Sequence, residues 1–164
     1  MTASTLAAPL AAALTIAYED PIPDWFPPVE PTVRDIGAAD AARVPLPEGN
    51  RPWRVLDHLR IGLELWREAL VGGAFDPAAH GAGDDWMPVA DPSDDAWRDL
   101  RERTLAASRA FAASVAALSD EDLLEPDGVF DMTRLEVVLS TLAHTAYHAG
   151  ELATLRLALA RGRD

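Results

Sequence analysis

His144 and His148 stand four residues apart in the segment His144-Thr-Ala-Tyr-His148-Ala-Gly-Glu151-Leu152. The run from Leu135 to Leu159 around them contains no proline and only Gly150 as a weak helix former, so a helix is its default conformation. Residues four apart on a helix sit one turn apart and about 40° around the axis, which points both imidazoles the same way. Val137, Ser140, Thr141, Glu151 and Leu155 share that face. Leu135, Val138, Leu139, Leu142, Ala146, Ala149 and Ala153 cover the opposite one, and a helix so apolar all round predicts burial among other helices. Two buried imidazoles need partners, because an unsatisfied one costs about 1–3 kcal/mol. A divalent metal satisfies both, and so do ordinary hydrogen bonds; the pair alone does not decide between them.

His58 adds a third nitrogen. It falls near the start of a helix predicted over Pro52 to Val71, with Val55, Ile61, Gly62, Leu65 and Ala69 within about 60° of its direction, and therefore faces the core. Opposite a histidine pair near the middle of an antiparallel partner helix, it completes a set of three imidazoles that leaves a fourth coordination position open. His80 lies in a loop and reads as a solvated residue. Tyr147 reads as packing or as part of a pocket rim, and Asp57 as a first-turn acid favoured by the helix dipole. With no cysteine in the chain, disulfides, thiolate ligands and a protein thiol nucleophile are excluded, so any sulfur chemistry needs a thiol from outside.

Four long helical segments have to position these side chains. The first runs from Thr5 to Tyr18, with Leu6, Leu10, Leu14 and Ala17 recurring at near-helical spacing. A proline-rich stretch, 20–50, follows as either a lid or a loosely ordered connection, with one helical turn expected over Asp35 to Ala42 and with Trp25 and Phe26 packing down on something. The second helix, Pro52 to Val71, takes Asn50 as its cap and stops at Gly72-Gly73; Arg54, Arg60 and Arg67 lie on its other sectors. Phe75 to Pro92 shows no periodic pattern. It reads as a crossover between two parallel helices, with Trp86 as a wall or lid residue. Ser93 caps the third helix, whose stripe is Trp97, Leu100, Leu105, Phe111, Val115 and Leu118. Ser119 opens one short turn that Pro126 ends, and Asp131 or Thr133 caps the fourth helix, Thr133 forming a capping box with Glu136.

At 164 residues and 49% hydrophobic content the chain suits one domain with its own core. Its formal net charge is −13, from 27 acidic and 14 basic side chains, all of the latter arginine. Such a surface repels phosphate backbones and anionic lipid, which argues against nucleic acid and membrane partners. The apolar N-terminal stretch Thr2 to Ala17 lacks a preceding basic residue and is interrupted by Pro9, so it does not read as an export signal, and the expected location is cytoplasmic. No stretch approaches the ~20 uninterrupted apolar residues of a transmembrane helix.

The segment Leu142-Ala-His144-Thr-Ala-Tyr147-His148-Ala-Gly150-Glu151-Leu152 resembles the signature of the DinB-like family, helical bundles related to the YfiT-type proteins, to mycothiol-dependent maleylpyruvate isomerase and to bacillithiol transferases. Trp53 to Leu59, with His58, resembles the family's second-helix segment, and Asp91 to Pro126 its third helix and following turn. The resemblance covers about Ile36 to Leu159. It implies an all-α, four-helix bundle in up-down-down-up order with a long crossover between helices 2 and 3, and a divalent metal, zinc or nickel, on His58, His144 and His148. Where relatives carry glutamine after the glycine this chain has Glu151, which is either an acceptor behind a ligand or a partner for an arginine, or else a fourth ligand or acid–base group.

Three functions follow from this reading. A metal-dependent transferase or isomerase would hold a small exogenous thiol of the bacillithiol or mycothiol type as thiolate at the open position, with Arg54 or Arg60 meeting its carboxylates, and with metal-activated water hydrolysis as the adjacent chemistry. A stress-related metal-binding protein without catalysis needs the same ligands. A plain bundle with buried histidines needs no metal at all. Metal content separates the last from the others, and turnover with a thiol and an electrophile separates the first two; a homodimer is compatible with each.

Overall fold

The computed structural model describes residues 5–19, 26–80, 83 and 88–162. Trp25 and Trp86, expected as wall or lid residues, lie outside the described residues. All regular elements among the described residues are helical: α1 (Ala7–Tyr18), α2 (Val29–Val33), α3 (Ala38–Ala41), α4 (Pro52–Val71), α5 (Asp94–Ala116), α6 (Asp120–Leu124) and α7 (Arg134–Arg161), with a 3-10 turn over Ala78–His80. None of these helices is long and apolar enough to cross a membrane.

The long helices begin and end where local chemistry dictates. Ser93 caps α5 by accepting from the Ala96 amide, and Asp94 and Asp95 stand in its first turn, where the dipole favours negative charge. Thr133 and Glu136 form a reciprocal capping box on α7, and Ser119 and Asp122 form another on α6. Helix α4 ends as expected on Gly72 in the left-handed region. Its start differs from expectation. Arg51 is the N-cap residue and no side chain caps the helix; Asn50 is directed elsewhere.

Helix α4 packs against both α5 and α7, and α1 does the same from the other side. Paired residues give the registers. Asn50 meets Glu151 while Arg134 meets the carbonyl of Leu70, so α4 and α7 run in opposite directions. Glu19 pairs with Arg109 while Thr5 bonds Asp120, which sets α1 against α5 in the same antiparallel sense. The core between them holds Leu14, Tyr18, Leu56, Leu59, Leu63, Phe111, Val115, Val138, Leu152 and Leu155. Trp53 and Trp97 pack at 5.1 Å between ring centroids, and the Trp97 indole donates to the carbonyl of Ile36 at 2.7 Å.

Two expectations need correction. The described part of the proline-rich stretch carries, besides the expected turn at α3, a further short helix at α2, and it buries Val29, Val33, Ile36, Ala38 and Ala41 in the core. The prolines break helix periodicity and so hide α2 from a pattern search, while enough apolar side chains remain between them to pack. Helix α7, expected to be covered on all sides, leaves Leu139, Tyr147 and Leu157 exposed. At 28 residues it carries more apolar surface than α1, α2, α4 and α6 cover.

Candidate metal centre

Antiparallel packing of α4 on α7 brings His58 opposite His144 and His148. The three imidazoles each offer a ring nitrogen, and these atoms lie within 4.8 Å of one another. Nε2 of His58 and Nε2 of His144 are 3.0 Å apart. Ring centroids are 5.0 Å apart for His58 with either partner and 4.5 Å for His144 with His148, all edge-to-face. Gly62, one turn beyond His58 on α4, lies against the cluster, where a Cβ would make ordinary contact with Cε1 of His144 at 3.9 Å and the Trp66 ring at 3.6 Å.

Hydrogen bonds behind the cluster orient it. Nδ1 of His148 contacts Oε2 of Glu151 at 2.8 Å, and Oε1 of Glu151 accepts from Nδ2 of Asn50 at 2.6 Å. A carboxylate acceptor keeps the hydrogen of His148 on Nδ1 and turns the Nε2 lone pair toward the cluster. Both oxygens of Glu151 are thus occupied by protein donors. His144 differs, in that its Nδ1 is buried with no hydrogen-bond partner, and the ring instead packs edge-to-face on Trp66 at 4.9 Å.

Electrostatics favour the neutral bases that a metal requires. Burial, then the neighbouring His148 and His58, pushes His144 down to about 4. Burial also lowers His148, partly offset by Glu151. The donor set fits a divalent cation: neutral imidazoles suit zinc and nickel alike, and nitrogens ~2.0–2.1 Å from a tetrahedral ion stand ~3.3 Å apart, close to the His58–His144 spacing. Three histidines could hold a metal ion here.

With this centre in view the family follows. The family model of the DinB superfamily matches residues 29–152. The chain belongs to the DinB superfamily. No curated protein and no solved structure matches it. In this DinB-superfamily chain the match begins at α2 and ends at Leu152, so it takes in the three histidines and the Glu151 and Asn50 behind them.

Other residues singled out from the sequence fall outside the cluster. Arg54 and Arg60, expected to meet the carboxylates of a thiol, have their terminal guanidinium nitrogens on protein groups, while Nε of Arg54 is buried without a hydrogen-bond partner. Arg60 is buried and pairs with Asp57 at 2.8 Å and Glu64 at 2.7 Å, with a further contact to the His80 carbonyl at 3.4 Å. Arg54 donates to the carbonyl of Pro88 and pairs with Asp57 at 3.4 Å. Asp57 is accordingly an ion-pair partner and stands beyond the first turn of α4. His80 is not a freely solvated loop residue, because its Nδ1 contacts Glu64 at 3.0 Å. Tyr147 lies at the edge of the cluster, exposed, with its ring 4.8 Å from that of His148.

Sequence reasoning missed Asn50 and Trp66 as neighbours of the site. A signal existed for Trp66: His58, Gly62 and Trp66 recur at intervals of four and so follow one stripe of α4. None existed for Asn50, whose position just ahead of a helix has an adequate local explanation.

Proposed function

We propose that this protein is a divalent-metal-binding member of its superfamily that acts as a metal-dependent S-transferase or isomerase using a small thiol of the bacillithiol or mycothiol type. The reading takes His58, His144 and His148 as the ligands, zinc or nickel as the ion, and the four long helices as a single-domain bundle in up-down-down-up order in the cytoplasm. The observation that carries it is the convergence of three ring nitrogens within 4.8 Å, with no fourth His, Cys, Asp or Glu among the described residues joining them.

A divalent ion held by His58, His144 and His148 would supply a Lewis acid that lowers the pKa of a bound thiol. The chain does the positioning. Glu151 holds the hydrogen of His148 on Nδ1, Asn50 holds Glu151, and burial keeps His144 neutral. The absence of cysteine leaves the exogenous thiol as the source of sulfur. Its proton leaves to solvent, and a carbon–sulfur bond forms as the bond from the electrophilic carbon to its leaving group breaks.

A non-catalytic, stress-related metal-binding role is favoured by a different observation. Clefts of about 600 and 370 Å³ lie between α4 and α5, and neither is lined by the three histidines. Elemental analysis followed by calorimetry of the metal-loaded protein with each thiol, and assays against a panel of electrophiles, tests both readings. Metal with thiol binding and turnover supports the transferase; metal without thiol binding supports the non-catalytic role. A preparation that binds neither zinc nor nickel defeats both.

A further inference from the structure

The two histidines on α7 are held in different ways. Nδ1 of His148 has the carboxylate of Glu151 behind it at 2.8 Å, whereas Nδ1 of His144 is buried with no hydrogen-bond partner. The other nitrogen of His144 turns inward, its Nε2 standing 3.0 Å from Nε2 of His58. A neutral imidazole that offers Nε2 to an ion carries its hydrogen on Nδ1, and ligating histidines ordinarily give that hydrogen to a carboxylate, a backbone carbonyl or water. Burial keeps solvent from Nδ1 of His144, and no protein acceptor stands behind it. Another contact has to fix this ring.

Trp66 supplies it. Its ring centroid lies 4.9 Å from that of His144, with the planes at 77°, edge to face. Cζ3 and Cη2 of the indole and Cε1 of His144 meet beside Gly62, where a Cβ would stand 3.6, 3.7 and 3.9 Å from them. Those two atoms belong to the benzo side of the indole, which neither donates nor accepts a hydrogen bond. Trp66 is itself packed on the core, which holds the indole in place against His144. His58, Gly62 and Trp66 recur at intervals of four, so the helix that contributes the third imidazole also contributes this support.

We propose that Trp66 is the positioning residue of His144, resting on the reading of the three histidines as metal ligands: it fixes one ring by aromatic packing where Glu151 fixes the other by a hydrogen bond. The centre is unequal as a result. An acceptor behind an imidazole raises its basicity toward an ion, so His148 is the stronger ligand on α7 and His144 the weaker. The apolar indole keeps any acceptor from His144 while still holding its orientation. Less donation from His144 leaves more of the charge of the ion for lowering the pKa of a bound thiol.

Zinc affinity of the full chain, measured by titration against a chelator, tests this. Trp66→Leu keeps an apolar side chain and removes the flat ring, and it should weaken zinc binding about tenfold. Trp66→Phe keeps a ring edge and should stay within about threefold of wild type. Val115→Ala, a core truncation on α5, should lower the melting temperature and leave zinc affinity unchanged, which separates positioning from general loss of stability. In a His144→Ala background Trp66→Leu should cost nothing further, because Trp66 acts through that ring. His144→Ala should also retain more zinc affinity than His148→Ala. Equal zinc affinity in wild type and Trp66→Leu overturns the proposal, as does a Trp66→Phe no better than Trp66→Leu. So does a loss in Trp66→Leu that persists in full without His144. A wild type that binds no zinc defeats the metal reading itself, and the proposal falls with it.

Discussion

Asn50 donates from Nδ2 to Oε1 of Glu151 at 2.6 Å, joining the residue ahead of α4 to the middle of α7. The other oxygen of the same carboxylate holds Nδ1 of His148 at 2.8 Å, so the end of the proline-rich stretch is connected through two hydrogen bonds to a ring of the metal centre.

Removing the carboxylate should therefore lower metal affinity without removing a ligand. Glu151→Ala is expected to weaken zinc binding about 10–100-fold, the usual cost of losing the acceptor behind a ligating imidazole. Asn50→Ala acts one bond further away and should cost less than about tenfold. Competition against a chelator of known affinity measures both, and unchanged affinity in Glu151→Ala would count against this arrangement.

Loss of a ring from the centre should be more severe. Saturating zinc or nickel should raise the melting temperature of the wild type near pH 7, because an ion bound only by the folded state stabilises it by mass action. His148→Ala and His58→Ala should each abolish most of that rise in a differential scan. An identical response in either variant would mean the ligands lie elsewhere.

Acid should destabilise the metal-free protein in a defined window. His144 is depressed from an ordinary value of 6.5 to about 4, and His148 is depressed as well. Their neutral forms are favoured in the folded state, so the unfolded chain takes up protons first as pH falls below 6.5. The stability they contribute is fully present above that pH and declines as it falls toward about 4. Down to about pH 5.5 the glutamates, whose ordinary value is 4.5, stay largely ionised, so the slope between 6.5 and about 5.5 belongs to these two histidines. Urea unfolding in chelator at stepped pH should show the decline, and His144→Gln should flatten it. Metal should steepen it, since protons compete with the ion for the same nitrogens.

Arg60 should prove structural. Its buried guanidinium lies between Asp57 and Glu64, and Arg60→Ala leaves both carboxylates without their shared cation. The expected loss is about 3 kcal/mol in chemical unfolding, at the low end for broken buried pairs because both acids are partly solvated. Thiol affinity per folded molecule should be unchanged.

The spacing of His144 and His148 determined, before any packing, that both imidazoles share one side of α7, since a period of 3.6 residues leaves no other outcome. The caps Ser93 and Thr133, the stop at Gly72 and the core-facing direction of His58 were legible for the same reason: each depends on neighbours within one or two turns. The separation of His58 from the pair, the assignment of Asn50 to Glu151 rather than to a cap, and the burial of Arg60 between two acids were decided only by tertiary structure. Asn50 satisfies local rules for a cap equally well, and what redirects it is an acceptor 101 residues away, brought within reach by the antiparallel register of α4 on α7. The exposed stripe on α7 belongs to that second group. Composition shows that the helix is apolar on every side, and only the placement of its neighbours leaves one of those sides uncovered.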